Sequence, residues 1–418
     1  MEKHLLSKST FIRGVQCLKS LYLNQNRPFL RDRLPKERLL VFRRGHEVGD
    51  LAQKLFPGGV NLRPGHPSAY RKSLQSTQEH IQAGYPVIYE AAFQYDRVMI
   101  FLDILVKTAA GWKAYEVKSS GGISDTYLMD AALQYYVIRG SGIDLESISL
   151  IHIDKEYVLE GKIDPEKLFR IVDVTGEAIS RQEYIREQIV REKEAIALKS
   201  SPPIEVGPHC REPYDCDFIG HCWKKVPIPE QVPAEKQLDR NILNKISQQE
   251  QVFLKVLTMR QAIPRYQGTK PYQEIAYGYS FIIDGKRKTA IFPVKENPEV
   301  ALRNSLNKEL GQAPSIICLN GKRKVGELLD NNPELHELKE FFTEDSTLLD
   351  FNEGESLLEK IGGITGNNIP GGIYTSDAVC AHYYLGGEAE EDHQDDIVRY
   401  AETAAMATKE LYEYILDL

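Results

Sequence analysis

Asp103 and the triplet Glu116-Val117-Lys118 are the residues of this chain whose types and spacing could do chemistry together. The run from Arg97 to Lys107 (R-V-M-I-F-L-D-I-L-V-K) is apolar and β-branched, and Trp112 to Ser119 (W-K-A-Y-E-V-K-S) follows after Ala109-Ala110-Gly111, which predicts a β-hairpin. Residues two apart on a strand share a face. Glu116 and Lys118 therefore point the same way, and Asp103 joins them when the strands pair in the right register. Two carboxylates at the end of a buried sheet repel each other and resist ionisation unless a divalent cation lies between them, so Mg²⁺ or Mn²⁺ is the natural guest. On an exposed face the same residues would be only solvated charge or a cross-strand ion pair. Against that, Asp103 interrupts an apolar run, an expensive place for an unpaired charge.

Cysteines form the second constellation. Of the six in 418 residues, Cys17 stands near the start, and Cys210, Cys216 and Cys222 lie in P-H-C-R-E-P-Y-D-C-D-F-I-G-H-C-W, with five residues between neighbours. No apolar signal sequence or membrane-length hydrophobic run is visible, so a reducing, cytoplasmic setting without membrane attachment is expected, where such cysteines bind metal rather than form disulfides. Four thiolates suit either a [4Fe-4S] cluster or Zn²⁺. The pairs two to four residues apart that zinc sites usually carry are missing, which favours iron-sulfur, while His209 and His221 beside the cysteines keep zinc open. Cys318 and Cys380 read as small buried apolar residues.

The elements that must position these residues follow from periodicity. Ser7 to Gln25 and Lys36 to Phe56 are expected as helices, the second stopped by Pro57-Gly58-Gly59. Strands are expected at 86–93, 97–108 and 112–119, then a helix from Asp125 to Arg139, a strand from Ser147 to Asp154, and one long charged helix from Gly176 to Leu198. After Trp223 the Pro- and charge-rich K-K-V-P-I-P-E-Q-V-P-A-E-K marks a linker at 226–238, dividing a domain at 1–225 from one at 239–418. Residues 1–225 hold 32 Lys and Arg against 29 Asp and Glu, whereas the remainder holds 20 against 31. Within 1–72 the balance is 15 basic to 5 acidic, suited to a phosphate backbone or to a solvated helical face. Tyr22, Phe29, Phe42 and Tyr70 interleave with these charges and could stack on bases, although core positions suit most of them. No Walker A motif is present, so ATP-driven unwinding would have to come from a partner.

In order along the chain, the cysteine in R-G-V-Q-C-L-K-S-L-Y-L, the hairpin with Asp and Glu-x-Lys, and the three closing cysteines resemble the iron-sulfur branch of the RecB-like PD-(D/E)XK nucleases, which includes CRISPR-associated exonucleases and the AddB nuclease domain. More narrowly, F-R-R-G-H-E-V-G-D-L-A-Q-K-L-F-P-G-G and I-P-R-Y-Q-G-T-K-P-Y-Q resemble bacterial proteins that fuse such a nuclease to a DnaQ-like exonuclease domain. The resemblance implies an α/β fold: a mixed central sheet flanked by helices and closed by an iron-sulfur cluster, followed by a second α/β, RNase-H-like domain. It implies Asp103 and Glu116 as metal ligands, and Lys118 as the group that orients or activates water and offsets phosphate charge. Glu90 matches an additional acidic position. Gln134 matches a glutamine expected to touch Lys118 or substrate. Cys17, Cys210, Cys216 and Cys222 would hold the cluster. Where many relatives place a metal-binding histidine this chain has Gly49; His46, three residues earlier, either replaces it or is an ordinary surface residue.

In the second half, Ile275 to Asp284 and Lys288 to Val294 are expected as a hairpin, Glu299 to Leu310 as a helix, Ser315 to Leu319 as a strand and Asp395 to Leu416 as a closing helix. A DnaQ-like site needs Asp-x-Glu on its opening strand, and V-F-L-K-V-L-T places Lys255 and Leu257 there. An Asn320 not followed by Glu, and Ala404 or Glu402 where an Asp is expected, leave Asp350 as a single match, so this half is expected to be catalytically dead. Its acidic balance favours a protein partner or self-association. The expected function is a metal-dependent DNase acting on single strands or ends in repair, recombination or defence; the alternative is a non-catalytic nucleic-acid-binding or assembly subunit.

Overall fold

The computed structural model describes residues 4–34, 36–225, 238–247, 249–313, 315–341, 358, 361, 365, 376–377, 379–381 and 391–417. Two compact units divide the chain: Met1–Leu34 with Val41–Pro227, and Pro35–Leu40 with Ile228–Leu418. Both are α/β, with mixed sheets flanked by helices. The expected linker, apart from Leu238, and Asp350 lie outside the described residues.

The first unit opens with β1 (Leu6–Ser7), α1 (Lys8–Gln16), α2 (Leu18–Asn26), α3 (Lys36–Ala52, its first residues grouped with the second unit), β2 (Val60–Asn61) and α4 (Tyr70–Gln82). Its centre is β3 (Val87–Tyr95), β4 (Val98–Lys107), β5 (Trp112–Lys118), α5 (Asp125–Gly140) and β6 (Leu145–Ile153). There follow α6 (Pro165–Leu168), β7 (Phe169–Asp173), α7 (Thr175–Ser180), α8 (Gln182–Ala197) and α9 (Ile219–Cys222). The sheet runs β2-β3-β4-β5-β6-β7, with β1 parallel to β4. β3, β4 and β5 form an antiparallel meander, and α5 carries the chain over to β6, parallel to β5. A parallel neighbour requires such a crossover. Ile100, Leu102 and Leu105 of β4 are all buried in one core with Leu133 and Val137 of α5 and Ile185 and Ile189 of α8, which is why β4 reads as a nearly unbroken apolar run.

Two expected helices are each broken in two. The first is interrupted at Cys17, whose backbone is extended (φ −163°, ψ 114°) and which becomes the N-cap of α2. Next to the break, the Gln16 side chain donates to the carbonyls of His209 and Tyr214, 2.9 and 2.6 Å away, tying this point to the distant cysteine segment. A helical hydrophobic pattern does not register one extended residue. The second break is at Arg181, where α7 ends and α8 begins; Gln182 Nε2 donates to the carbonyls of Ala132 and Ala178, joining the break to α5.

The second unit comprises α10 (Arg240–Ile246), β8 (Gln251–Arg260), β9 (Glu274–Ile283), β10 (Lys286–Ile291), α11 (Glu299–Leu310), β11 (Ser315–Cys318), α12 (Lys322–Leu328), β12 (Glu334–Glu337) and α13 (Glu391–Asp417). Its sheet order is β10-β9-β8-β11-β12: the first three strands are antiparallel, and β11 and β12 run parallel to β8. Alternation along β8 fills two cores. Phe253 and Leu257 pack with Ile397 and Tyr412 of α13, while Leu254 and Val256 pack with Leu302, Leu306 and Val325. Lys255 is also buried, its ammonium 2.9 Å from Asp377 Oδ1 and 3.4 Å from Asn320 Oδ1. Tyr400 Oη donates to the same Asp377 at 3.1 Å. Leu257 and Ala404 are buried apolar residues, and Glu402 is paired with Arg287 at 3.2 Å.

Candidate active site and cysteine pocket

Strand register brings three acidic residues into one row. β3 pairs with β4 at Tyr89↔Ile104 and Ala91↔Leu102, passing over Glu90 and Asp103 between them. The β4–β5 ladder reaches Ile104↔Tyr115, so Glu116 lies across from Asp103 one step beyond it. Glu90, Asp103 and Glu116 thus follow one another across β3, β4 and β5. The ladder is distorted along this row. Glu90 takes φ 55°, a left-handed backbone that costs a non-glycine residue about 1 kcal/mol or more, and Asp103 Oδ2 accepts the Val117 N–H at 2.6 Å.

Glu116 is 2% exposed, and its Oε1 accepts from Lys118 Nζ at 2.8 Å and from Lys8 Nζ at 2.5 Å. Lys118 also pairs with Asp130 Oδ2 on α5, and Lys8 lies 3.8 Å from the same oxygen. Glu116 Oε2 and Asp130 Oδ1 are buried without a hydrogen-bond partner among the described residues. Burial opposes ionisation of Glu116, but the ammonium groups of Lys118 and Lys8 outweigh it and hold the carboxyl well below its usual range. Asp103 moves the other way: burial first, then the charge of Glu116, raise it well above an ordinary aspartate, with Lys8 and the Val117 amide offsetting part of the rise. Two neighbouring carboxyls with pKa values driven apart are a pattern common at functional sites.

The remaining expected residues divide. Glu90 is held by Arg63, with contacts of 2.9 and 2.7 Å, and Arg63 also reaches Asp50 on α3 at 3.0 Å. Gln134 is fully buried on α5, and neither of its amide atoms has a hydrogen-bond partner among the described residues, so of the two contacts expected of it, Lys118 or substrate, it makes no hydrogen bond to Lys118. Asp130, one turn earlier, takes the ammonium instead, because an ionised acceptor binds it more strongly than an amide does. His46 is exposed on α3. Sequence reasoning missed Lys8 and Asp130. Asp130 could have been found from its four-residue spacing to Gln134 in the otherwise apolar Y-L-M-D-A-A-L-Q-Y-Y. Lys8 carries no such signal, since its partner Glu116 is 108 residues away.

The cysteines converge. Cys17, Cys210, Cys216 and Cys222 all line one cavity, with Ser20 and Phe218 among its other walls. None of the four is in a disulfide. Arg13 binds Asp217 at 2.6 Å and Ser20 Oγ at 3.1 Å, and Lys19 donates to the Ile204 carbonyl at 3.0 Å, pinning the C-terminal segment to α1 and α2. Burial raises the thiol pKa of Cys17 and of Cys222. Among the described residues no three His, Cys, Asp or Glu side chains close around a single ion position. Four cysteine sulfurs lining one cavity are a donor set that fits a thiolate-held metal centre. At the acidic row, the buried carboxyl of Glu116 and the half-buried one of Asp103 are oxygen donors of the kind a hard ion such as Mg²⁺ takes.

No family model matches this chain, and no curated protein matches it. Among the described residues no helix is long and apolar enough to cross a membrane.

Proposed function

We propose that the first unit is a metal-dependent DNA nuclease of the PD-(D/E)XK type, in its iron-sulfur, RecB-like form. The observation that carries this reading is the meeting of Asp103, Glu116 and Lys118 on adjoining strands, with one buried oxygen of Glu116 unpartnered among the described residues. An antiparallel meander, a crossover helix and a parallel fourth strand support it as the scaffold. Asp103 and Glu116 would hold Mg²⁺ or Mn²⁺, whose chemistry when bound is Lewis-acid polarisation of the phosphate and acidification of water. Lys118 supplies a fixed positive charge where negative charge builds on the phosphate, and Asp130 orients that ammonium by pairing with it. Cys17, Cys210, Cys216 and Cys222 would hold a [4Fe-4S] cluster that ties the start of the unit to its end and stabilises it without entering the reaction.

The second unit is proposed as an RNase-H-like domain without catalysis. Its sheet order supports the fold assignment, and Lys255 supports the loss of activity: a buried ammonium paired with Asp377 stands where a carboxylate would have to hold metal. This unit would serve association with a protein partner or a second copy. Cytoplasmic single-stranded DNA or DNA ends are the proposed substrate. Purified protein should degrade end-labelled single-stranded DNA with Mn²⁺, whereas Asp103→Ala and Lys118→Ala should bind the strand and leave it intact. Cutting by either variant at the wild-type rate would refute the assignment.

A further inference from the structure

Lys8 is the first residue of α1, and a cation there faces the positive end of the helix dipole. Its compensation comes from elsewhere: Glu116 Oε1 at 2.5 Å and Asp130 Oδ2 at 3.8 Å. The backbone that delivers it is fixed on both sides. Leu6 and Ser7 pair in parallel with Val98 and Met99 of β4, and Ser7 caps α1 through a reciprocal pair of bonds with Thr10.

The two lysines that share Glu116 differ in freedom. Lys118 has 13% of its side chain exposed, is confined between Glu116 and Asp130, and lies 5.1 Å from the centre of the Tyr127 ring. Lys8 has 30% of its side chain exposed, so its route to solvent is open. Both ammonium groups converge on one oxygen of Glu116, while Glu116 Oε2 and Asp130 Oδ1 stay buried and unpartnered among the described residues. Buried carboxylate oxygens of this kind call for another cation or donor. A divalent ion added to Asp103, Glu116, Asp130, Lys8 and Lys118 would bring four positive charges against at most three negative ones. The ammonium that can leave is Lys8.

We propose that Lys8 is a tethered counter-ion, which holds Glu116 when no divalent cation is bound, gives up that contact to the cation, and then offers its ammonium to a nucleic-acid phosphate. The last step rests on the nuclease assignment; the exchange with the cation does not. Mn²⁺ binding to full-length protein, read from the electron paramagnetic resonance signal of free Mn²⁺, tests the exchange without any cleavage assay. Lys8→Met and Lys8→Gln should bind Mn²⁺ about tenfold more tightly than wild type, the effect of removing a competing charge worth roughly 1.4 kcal/mol, and Glu116→Gln should lose the site. Both Lys8 variants should also bind single-stranded DNA more weakly when Mn²⁺ is present. Unchanged or weaker Mn²⁺ affinity in the two Lys8 variants, both folded by circular dichroism, overturns the exchange even if wild type cuts DNA. Tighter Mn²⁺ binding in a protein that never cuts DNA upholds the exchange and overturns the nuclease assignment instead.

Discussion

Glu192 on α8 couples the stability of the first unit to pH. The residue is fully buried, Gln188 Nε2 donates to its Oε1 at 3.0 Å, and its Oε2 has no partner among the described residues. It packs against Gly14 of α1, the helix that carries Lys8 at one end and leads to Cys17 at the other. Burial raises the carboxyl pKa to about 9. In the unfolded chain the same group titrates near 4.3, so between these values the unfolded state releases a proton that the folded state keeps, and stability falls as pH rises. At roughly 1.36 kcal/mol for each pH unit, the loss between pH 5 and pH 8 comes to about 4 kcal/mol, an upper figure because local relaxation would lessen it. Glu192→Gln keeps the shape and cannot ionise. Urea unfolding of both proteins at pH 5, 6.5 and 8 should show the variant gaining steadily on wild type as pH rises, whatever their difference at pH 5. A difference that stays constant across the three pH values would refute the argument, because a neutral buried carboxyl must produce the slope.

Gly14→Ala should destabilise the same unit by about 1–3 kcal/mol, since a β-carbon there would stand 2.3 Å from Glu192 Cδ. Chemical denaturation should show much of that loss recovered in Gly14→Ala/Glu192→Ala, and strictly additive losses would show that the contact is not the cause. Cys17→Ser and Cys216→Ser should each remove the visible absorption of anaerobically purified protein and lower its melting temperature; a variant that keeps full colour would take that cysteine out of the ligand set. In Lys255→Met the half-buried Asp377 loses its ammonium, which should cost about 1–3 kcal/mol in the second unit while leaving DNA cleavage unchanged. Loss of cleavage in folded Lys255→Met would contradict a non-catalytic second unit.

Local patterning made much of the scaffold legible. The β4–β5 hairpin announced itself through two β-branched runs around Ala109-Ala110-Gly111, and α11 through its helical spacing of Leu302, Leu306 and Leu310. The side-chain face shared by Glu116 and Lys118 follows from strand alternation alone, and both bind within one network. What stayed hidden was non-local. The interruption at Cys17 is bound up with a segment almost two hundred residues away, and Lys8 acquires its meaning only when β1 pairs with β4. Likewise Asp377 joins Lys255 through tertiary packing that no periodicity announces.

The central claim is tested most directly by initial rates of Mn²⁺-dependent cleavage of single-stranded DNA for wild type and Glu116→Gln, with folding of the variant verified by its melting curve. Wild type should cut only when the divalent ion is supplied, and Glu116→Gln should fall by at least about a hundredfold, the scale of losing one electrostatic catalytic contact. Equal rates in the two proteins, or no cutting by wild type with either Mn²⁺ or Mg²⁺, would contradict it.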